Sequence, residues 1–387
     1  MIYLDNNATT AVSPEVLEAM LPYFQGEYFN PSSMYEAAKG PARALDAARE
    51  TVSRFIGAPS SQDIIFTSCA TESNSTAISG VLRANPERRH LITTAVEHPA
   101  VLSAMKVAER DGYEVDYIGV DASGNLDVRA FVKAIRPGST ALVSVMSVNN
   151  ETGVIFPIER LSRLVKDSDP GIAFHCDATQ AAGKLAIDLG AGYKDVDFLC
   201  FSGHKMHAPK GVGVLFARRN AVFRPLLVGG HQERGRRGGT ENIAFIVGLA
   251  RACELAEAHM AEDGRIAVLR DKLEGALEGI PSVLINGKGA ARVSNTSNVS
   301  FHYIEGEGIL FQLDLHGICA SSGSACTSGS LEPSHVLKAM QVPHTAAHGS
   351  IRFSLSRHTT EAEIDHVIAV MPDIVASLRK LSPFWVD

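Results

Sequence analysis

Residues 196–205 read VDFLCFSGHK, and this stretch decides the fold. Its apolar run predicts a buried strand that stops abruptly at Ser202, and the short polar stretch after it ends in Lys205. A lysine at the end of a buried strand is a candidate for imine formation, because desolvation and cationic neighbours lower its pKa. A solvated loop lysine is the alternative, and it is weakened because the polar stretch directly follows a buried strand.

Apolar runs of strand length alternate with longer helical patterns on both sides of this stretch. The alternation predicts an α/β fold with a mostly parallel sheet covered by helices on both faces. Such sheets bind ligands at the carboxyl ends of their strands. The predicted helices include residues 99–111 and 157–166. The predicted strands are Asp63–Thr67, His90–Thr94, Glu114–Ile118, Ala141–Ser144, Ile172–His175, Phe198–Phe201 and Val212–Phe216.

The pattern changes after residue 240. Residues 241–279 read as continuously helical, and further helices are predicted over 305–317 and 359–381. Strands are predicted over 295–304 and 349–356. Strands and helices in this order indicate a smaller α+β unit.

A chain of 387 residues is longer than one compact core usually holds. We therefore expect a large domain over residues 15–260. We expect residues 1–14 and 261–387 to form the small domain and to carry the loop around Cys326.

Composition and charge exclude several classes of protein. The formal net charge of −7 argues against general binding of nucleic acid or of anionic membranes, which needs a basic surface. The six cysteines form no CxxC pair and the chain has no HExxH, so neither a zinc site nor a disulfide framework is expected. No signal peptide and no apolar run of about 20 residues is visible. We expect a soluble cytoplasmic protein.

A candidate phosphate site lies at residues 67–73, TSCATES. A strand ends there and a helix begins, and free N–H groups at a helix N-terminus attract anions. Ala70 and Thr71 would meet the phosphate, and Ser202 and His204 could add contacts. The alternative is an ordinary helix start capped by Thr71 or Ser68.

Two further strand ends carry candidate site residues. Asp177 ends an apolar strand, where a carboxylate can keep a pyridine nitrogen protonated and make a cofactor ring an electron sink. Gln180 could reach a hydroxyl on the same ring. His98 follows another strand and could stack on the ring and move protons. The alternatives are an aspartate that caps the next helix and a histidine at a helix start with no role.

A second reactive group is indicated at residues 319–330, CASSGSACTSGS. Cys326 lies among small polar residues, whereas structural cysteines usually have apolar neighbours, which favours a reactive and mobile thiol. Arg352 lies in a predicted strand and could bind a substrate carboxylate through its forked guanidinium. The Gly- and Arg-rich residues 229–242 are interpreted as a flexible, positively charged loop that closes over a phosphate and could reach into a neighbouring subunit. An enzyme that needs an imine-forming lysine and a travelling thiol is one that activates an amino acid on pyridoxal 5'-phosphate (PLP) and removes an atom with the thiol.

These motifs in this order resemble the cysteine desulfurases, and most of all their nitrogen-fixation type. Those proteins are PLP enzymes of fold type I in the class-V aminotransferase group. The resemblance covers nearly the whole chain, and the loop around Cys326 has the longer of the two forms known in the family. The motifs that carry it are YLDNNATT (3–10), NPSS (30–33), TSCATES (67–73), VEHPAV (96–101), VNNETG (148–153), HCDATQ (175–180), SGHK (202–205), GRRGGTEN (235–242), SSGSACTSGSLEPSHV (321–336) and IRFSLSR (351–357).

The resemblance implies a role for each matching residue. Lys205 would carry PLP as a Schiff base, Cys326 would carry sulfur as a persulfide, and His98 would stack on the ring. Asp177 would pair with the ring nitrogen and Gln180 with the ring hydroxyl, while Asn150 and Arg352 would face the substrate carboxylate. The phosphate contacts would be Ala70, Thr71, Ser202, Gly203 and His204, with Thr240 contributed by the partner subunit of a homodimer.

The resemblance also implies the reaction, in which L-cysteine becomes L-alanine and its sulfur stays on the enzyme. An iron–sulfur scaffold protein would accept the sulfur, and nitrogenase assembly would be one use for it. An aminotransferase or a selenocysteine lyase is a rival enzyme, and neither would need Cys326. A carrier or scaffold for iron–sulfur clusters, without catalysis, is a rival of another class, but it leaves Lys205 and Asp177 unexplained.

Overall fold

The structure is a computed structural model that describes residues 1–260, 263–322 and 333–385. Cys326 lies outside the described residues, as does most of the loop around it. Among the residues described, no helix is both long and apolar enough to cross a membrane.

Thirteen strands form three sheets in the described parts of the chain. The strands in chain order are β1 (Ile2–Tyr3), β2 (Ile64–Thr67), β3 (His90–Thr94), β4 (Glu114–Ile118), β5 (Thr140–Met146), β6 (Ala173–Asp177), β7 (Phe198–Ser202), β8 (Gly213–Ala217), β9 (Val283–Asn286), β10 (Thr296–Phe301), β11 (Ile318–Cys319), β12 (Ser321–Ser322) and β13 (Ser350–Ser354).

The largest sheet has seven strands in the order β2-β8-β7-β6-β5-β3-β4. The five strands β7, β6, β5, β3 and β4 run parallel, and β8 pairs antiparallel with both β2 and β7. Every residue of β5 and of β7 is buried, as expected for strands covered on both faces. The predicted mostly parallel sheet is confirmed, and each of the seven predicted strands agrees with an observed one to within two residues at either end.

The helices in chain order are α1 (Pro14–Met20), α2 (Pro22–Gln25), α3 (Lys39–Phe55), α4 (Ala70–Ala84), α5 (Pro99–Arg110), α6 (Val128–Ala134), α7 (Ile158–Ser168), α8 (Ile243–His259), α9 (Asp263–Leu277), α10 (Gly306–Leu315), α11 (His335–Ala339), α12 (His344–Ala347) and α13 (Glu361–Leu381). The prediction of one continuous helix over 241–279 is wrong, because the structure has two helices there, α8 and α9. The predicted closing helix is α13, which begins with a capping box between Thr360 and Glu363.

Two apolar cores cover the faces of the seven-stranded sheet. The larger includes Phe174, Phe201 and Leu249, and the smaller includes Ile78 and Phe198. Strands β5, β6 and β7 are parallel neighbours in this sheet, so side chains that follow them meet at one edge.

A third core lies under the antiparallel sheet β12-β13-β10-β9. It joins Leu4 near the N-terminus to Phe301, Phe353 and Met371. A parallel pair of two-residue strands, β1 and β11, adds a further link between the two ends of the chain. The division into domains at residues 15–260 and 1–14 with 261–387 stays a prediction.

Candidate active site

A cavity of about 660 Å³ lies at the carboxyl edge of the seven-stranded sheet. Strands β6 and β7, helix α4 and the third core's strand β13 all contribute residues to its wall. Of the residues predicted from sequence, Gly203 and Thr240 do not line it, and Cys326 lies outside the described residues. The predicted residues that line it are Ala70, Thr71, His98, Asn150, Asp177, Gln180, Ser202, His204, Lys205 and Arg352.

Lys205 ends a short 3₁₀ helix, Gly203–Lys205, that directly follows β7. Its ammonium donates to the backbone oxygens of Asn7 at 2.7 Å and of Ala8 at 2.6 Å. The side chain is half-buried in the cavity wall, which differs from a solvated loop lysine. Its contacts fix the amine at the carboxyl edge of the sheet.

The N-terminus of α4 opens onto the cavity. Cys69 is its N-cap, and within the described chain no side chain caps the helix, so the cap by Thr71 or Ser68 is not formed. The free N–H groups and the helix dipole favour an anion there. The hydroxyl of Ser202 also lines the cavity, and its buried oxygen has no hydrogen-bond partner among the described residues. A buried hydroxyl without a partner indicates that a polar ligand group is missing from this point.

Asp177 is the last residue of β6 and is buried. One carboxylate oxygen accepts from the Asn74 side chain at 2.7 Å, and the other accepts from the Thr179 N–H at 2.9 Å. The second contact closes the turn after the strand. No helix begins between β6 and β7, whose residues are all described, so the alternative of an aspartate that caps the next helix is wrong. The cavity still borders the carboxylate, so it can also face a ligand.

His98 is the N-cap of α5, and its Nδ1 accepts from the Ala100 N–H at 3.1 Å. Its proton therefore lies on Nε2 in the neutral ring. Burial lowers the pKa of His98, and the nearby charge of Asp177 opposes that shift. The residue caps a helix and lines the cavity, so the two interpretations of it are compatible.

Arg352 lies in β13 and reaches the cavity from the antiparallel sheet. Its guanidinium donates to the Asp5 carboxylate at 2.9 Å and to the backbone oxygen of Asn150 at 3.1 Å. The buried Nε has no partner in the part of the chain that is described. An arginine with a spare N–H at a cavity wall can bind a carboxylate.

The loop over residues 229–242 is anchored rather than loose. Glu233 is buried and forms a bidentate ion pair with Arg49, at 2.7 and 2.9 Å. Arg237 donates to Glu72 in the first turn of α4 at 2.8 Å. Thr240 is exposed in the single chain.

Comparisons with known proteins agree with this arrangement. The family model described as aminotransferase class-V matches residues 2–367. The chain is 55% identical to "Cysteine desulfurase 2" of Trichormus variabilis, over 100% of this chain and 96% of that protein. It is 54% identical to "Cysteine desulfurase NifS" of Azotobacter vinelandii, over 99% and 95%. A solved structure titled "NIFS-LIKE PROTEIN" matches with a TM-score of 0.91 and 37% identity, over 97% of this chain and 100% of that one.

The chain belongs to the class-V aminotransferase family. Within that family it is of the cysteine desulfurase type, and enzymes of this type depend on PLP. The predicted fold type, family and cofactor are confirmed.

The residues of the cavity fit PLP on their own chemistry. The uncapped start of α4 and the unpartnered Ser202 hydroxyl suit a phosphate, and the buried Asp177 carboxylate suits a protonated ring nitrogen. Lys205 places a primary amine in the wall of the same cavity.

Several cavity residues of this class-V aminotransferase were missed by sequence reasoning. Asn74 holds Asp177, Asn7 holds Lys205 through its backbone oxygen, and Asp5 holds Arg352. Glu151 lines the cavity and accepts from the Ser334 hydroxyl at 2.5 Å, and burial raises its pKa to about 7. Asp5, Asn7 and Glu151 lie inside motifs that carried the resemblance, so the motifs themselves were a usable signal.

Proposed function

We propose that this protein converts L-cysteine to L-alanine and takes the sulfur onto Cys326. The transfer is redox-neutral: the carbon–sulfur bond of the substrate breaks, a sulfur–sulfur bond forms at Cys326, and the substrate Cβ gains a proton. The observation that carries the proposal is that Lys205, Asp177 and Arg352 line one cavity. One bound amino acid could therefore meet an amine, a carboxylate that pairs with a cofactor ring nitrogen, and an arginine that binds its own carboxylate.

The proposed PLP site uses both sides of the cavity. Lys205 would be the covalent attachment point, Asp177 would hold the ring nitrogen, Gln180 the ring hydroxyl, and His98 would stack on the ring. Bound PLP supplies an electron sink for the charge left when the substrate Cα loses its proton. The phosphate would be held by Ala70, Thr71, Ser202, Gly203 and His204, with Thr240 added from a partner subunit.

The chain's own groups would then handle the proton and the substrate. Arg352 would bind the substrate carboxylate with help from Asn150, which orients Cα towards Lys205. The Lys205 amine would accept the Cα proton once the substrate has displaced it. Burial keeps the His98 ring neutral, so its Nε2–H would serve as a proton donor in the same cavity.

We further propose a homodimer, with an iron–sulfur scaffold protein as the sulfur acceptor and nitrogenase assembly as a use for the sulfur. The similarity to NifS of Azotobacter vinelandii supports the nitrogen-fixation type. We also propose the division into a large domain of residues 15–260 and a small domain of residues 1–14 and 261–387, supported by the separate third core.

The test of this function uses the pair Cys326→Ala and Cys319→Ala. Cys319 is a free, half-buried thiol in β11 and is the matched control. Cys326→Ala should bind PLP and L-cysteine, seen as a change in the absorption spectrum, and release neither sulfide nor alanine. Cys319→Ala should be nearly normal. If Cys326→Ala removes sulfur at the wild-type rate, the thiol is not the acceptor and a lyase reaction takes its place.

A further inference from the structure

A second lysine lies directly behind Gln180. Lys184 follows it by four residues in the turn after β6, and Gly183 between them has a φ of 77°, a left-handed conformation that glycine adopts without strain. The Lys184 ammonium donates to Gln180 Oε1 at 2.5 Å and to Asn7 Oδ1 at 3.3 Å. None of the roles proposed above uses Lys184.

These contacts define which way the Gln180 amide points. Its Nε2 donates to the backbone oxygen of Asn7 at 3.0 Å, while its Oε1 accepts from Lys184. An ammonium can only donate and a backbone carbonyl can only accept. A flipped amide would set N–H against N–H and oxygen against oxygen, so both contacts oppose the flip.

We propose that Lys184 is a positioning residue that fixes the side-chain amide of Gln180, with an N–H group available to an anionic oxygen on the cofactor ring. This inference rests on the proposed PLP site. The Nε2 group carries two hydrogens, and the bond to Asn7 uses one of them. Gln180 lines the main cavity, so the second hydrogen can be offered to the cofactor.

Lys184 also lines a second, smaller cavity. A smaller cavity of about 80 Å³ lies behind the main one and is lined by both Lys184 and Lys205. His207, His259 and Arg357 also line it, and Asn295 joins them. Apolar side chains, among them Met206, Ile266 and Leu355, also line this cavity, and its volume is large enough for water.

The protonation state of Lys184 changes near neutral pH. Burial lowers its pKa to about 7, and the positive charges of Lys205 and Arg352 add to the shift. His207, His259 and Arg357 line the same smaller cavity as Lys184. Below about pH 7 the Lys184 ammonium can only donate hydrogen bonds, so the orientation of the Gln180 amide is fixed. At higher pH the neutral Lys184 amine can also accept a hydrogen bond, so it no longer fixes that orientation.

Lys184→Met tests the proposal through the absorption spectrum of the bound cofactor. The expected result is a shift in the pH at which that spectrum changes, and a roughly two- to tenfold weaker affinity for PLP, as expected for the loss of one oriented hydrogen bond. Lys184→Arg keeps a donor-only group and should restore most of both properties. If Lys184→Met fails to fold, Lys184→Gln replaces it, because an amide can donate and accept and so also removes the constraint.

The decisive comparison is a double-mutant cycle with Gln180→Leu. If Lys184 acts through Gln180, adding Lys184→Met to Gln180→Leu changes neither the spectral pH midpoint nor the PLP affinity any further. Shifts that add in the double variant would overturn the proposal, since Lys184 would then act on Lys205 by charge alone. A Lys184→Met protein with the wild-type midpoint and affinity would overturn it as well.

Lys166→Met is the matched control. Lys166 in α7 is also half-buried, and its ammonium bonds Asp197 and the backbone oxygen of Ile172, each at 2.6 Å, away from the cavity. This variant should lose stability and keep the spectral midpoint. A wild-type protein that binds no PLP would overturn the proposed function itself, whereas normal binding that is insensitive to Lys184 overturns this inference alone.

Discussion

At the scale of single residues, Arg352 has a hydrogen-bond donor left over that could bind a second carboxylate. It already pairs with Asp5, yet its buried Nε has no partner in the described chain. Arg352→Lys removes the planar fork and keeps the charge, so L-cysteine should lose a charge-assisted hydrogen bond. The expected result is a rise in KM of about ten- to 150-fold with PLP still bound, because such bonds contribute about 1.5–3 kcal/mol and each 1.4 kcal/mol is about a factor of ten.

The matched control for that change is Arg292→Lys. Arg292 is also paired with a carboxylate, through two bonds to Glu274 at 2.8 and 2.9 Å, and does not line the cavity. Steady-state kinetics should show an unchanged KM for this variant. An unchanged KM for Arg352→Lys would remove Arg352 from the substrate site.

Several of the residues predicted from the sequence lie at or just after the ends of buried strands, whereas Arg352 lies inside β13. Asp177 and Lys205 follow apolar runs, and a polar group there has few roles apart from function or capping. Asn74 was missed because it lies in the second turn of α4, where an asparagine gives no local signal. Asn7 lies inside a motif that carried the resemblance, but its backbone oxygen contacts Lys205 across almost 200 residues of sequence, so the motif indicated the residue and not the contact.

At the scale of elements, long strands were predictable and very short ones were not. Strands β3 and β4, of five residues each, were predicted with their observed bounds. Strands β1, β11 and β12 have two residues each, too few for any periodicity. They form because distant segments of the chain meet, which is a property of the tertiary structure.

The junction of β7 with α4 supplies a prediction about cofactor binding. Ser202 at the end of β7 has a buried hydroxyl with no partner in the described chain, and such a group costs stability until a ligand satisfies it. Ser202→Ala should therefore leave the apoprotein equally or more stable and weaken PLP binding by roughly two- to tenfold. Thermal unfolding of the apoprotein and a PLP titration measure the two effects.

Ser297 in β10 is the matched control for this element. Its hydroxyl is also buried without a partner in the described chain, but it does not line the cavity. Ser297→Ala should match Ser202→Ala in apoprotein stability and bind PLP like the wild type. Equal PLP affinity in both variants would show that Ser202 does not contact the phosphate.

At the scale of the whole molecule, Thr240 is the proposed site residue that would act in the active site of the partner subunit. It is exposed and does not line the cavity of its own chain. Its loop is held in place by the ion pairs of Glu233 and Arg237, and Val228, directly before the loop, has 87% of its surface exposed. An anchored loop with an exposed apolar residue is suited to contact a second copy of the chain.

A hybrid dimer separates a shared site from a site built by one chain. One subunit carries Lys205→Ala and the other carries Thr240→Glu, which would place a carboxylate against the phosphate. If Thr240 serves the partner's site, one site of the hybrid combines Lys205 of the second subunit with the unchanged Thr240 of the first. The purified hybrid should then keep about half of the wild-type desulfurase activity, because a symmetric dimer has two equivalent sites. If Thr240 serves its own chain, each site carries one defect and the hybrid is inactive.

Thr345→Glu, at another exposed threonine, replaces Thr240→Glu in the control hybrid. That control must keep about half of the activity under either arrangement.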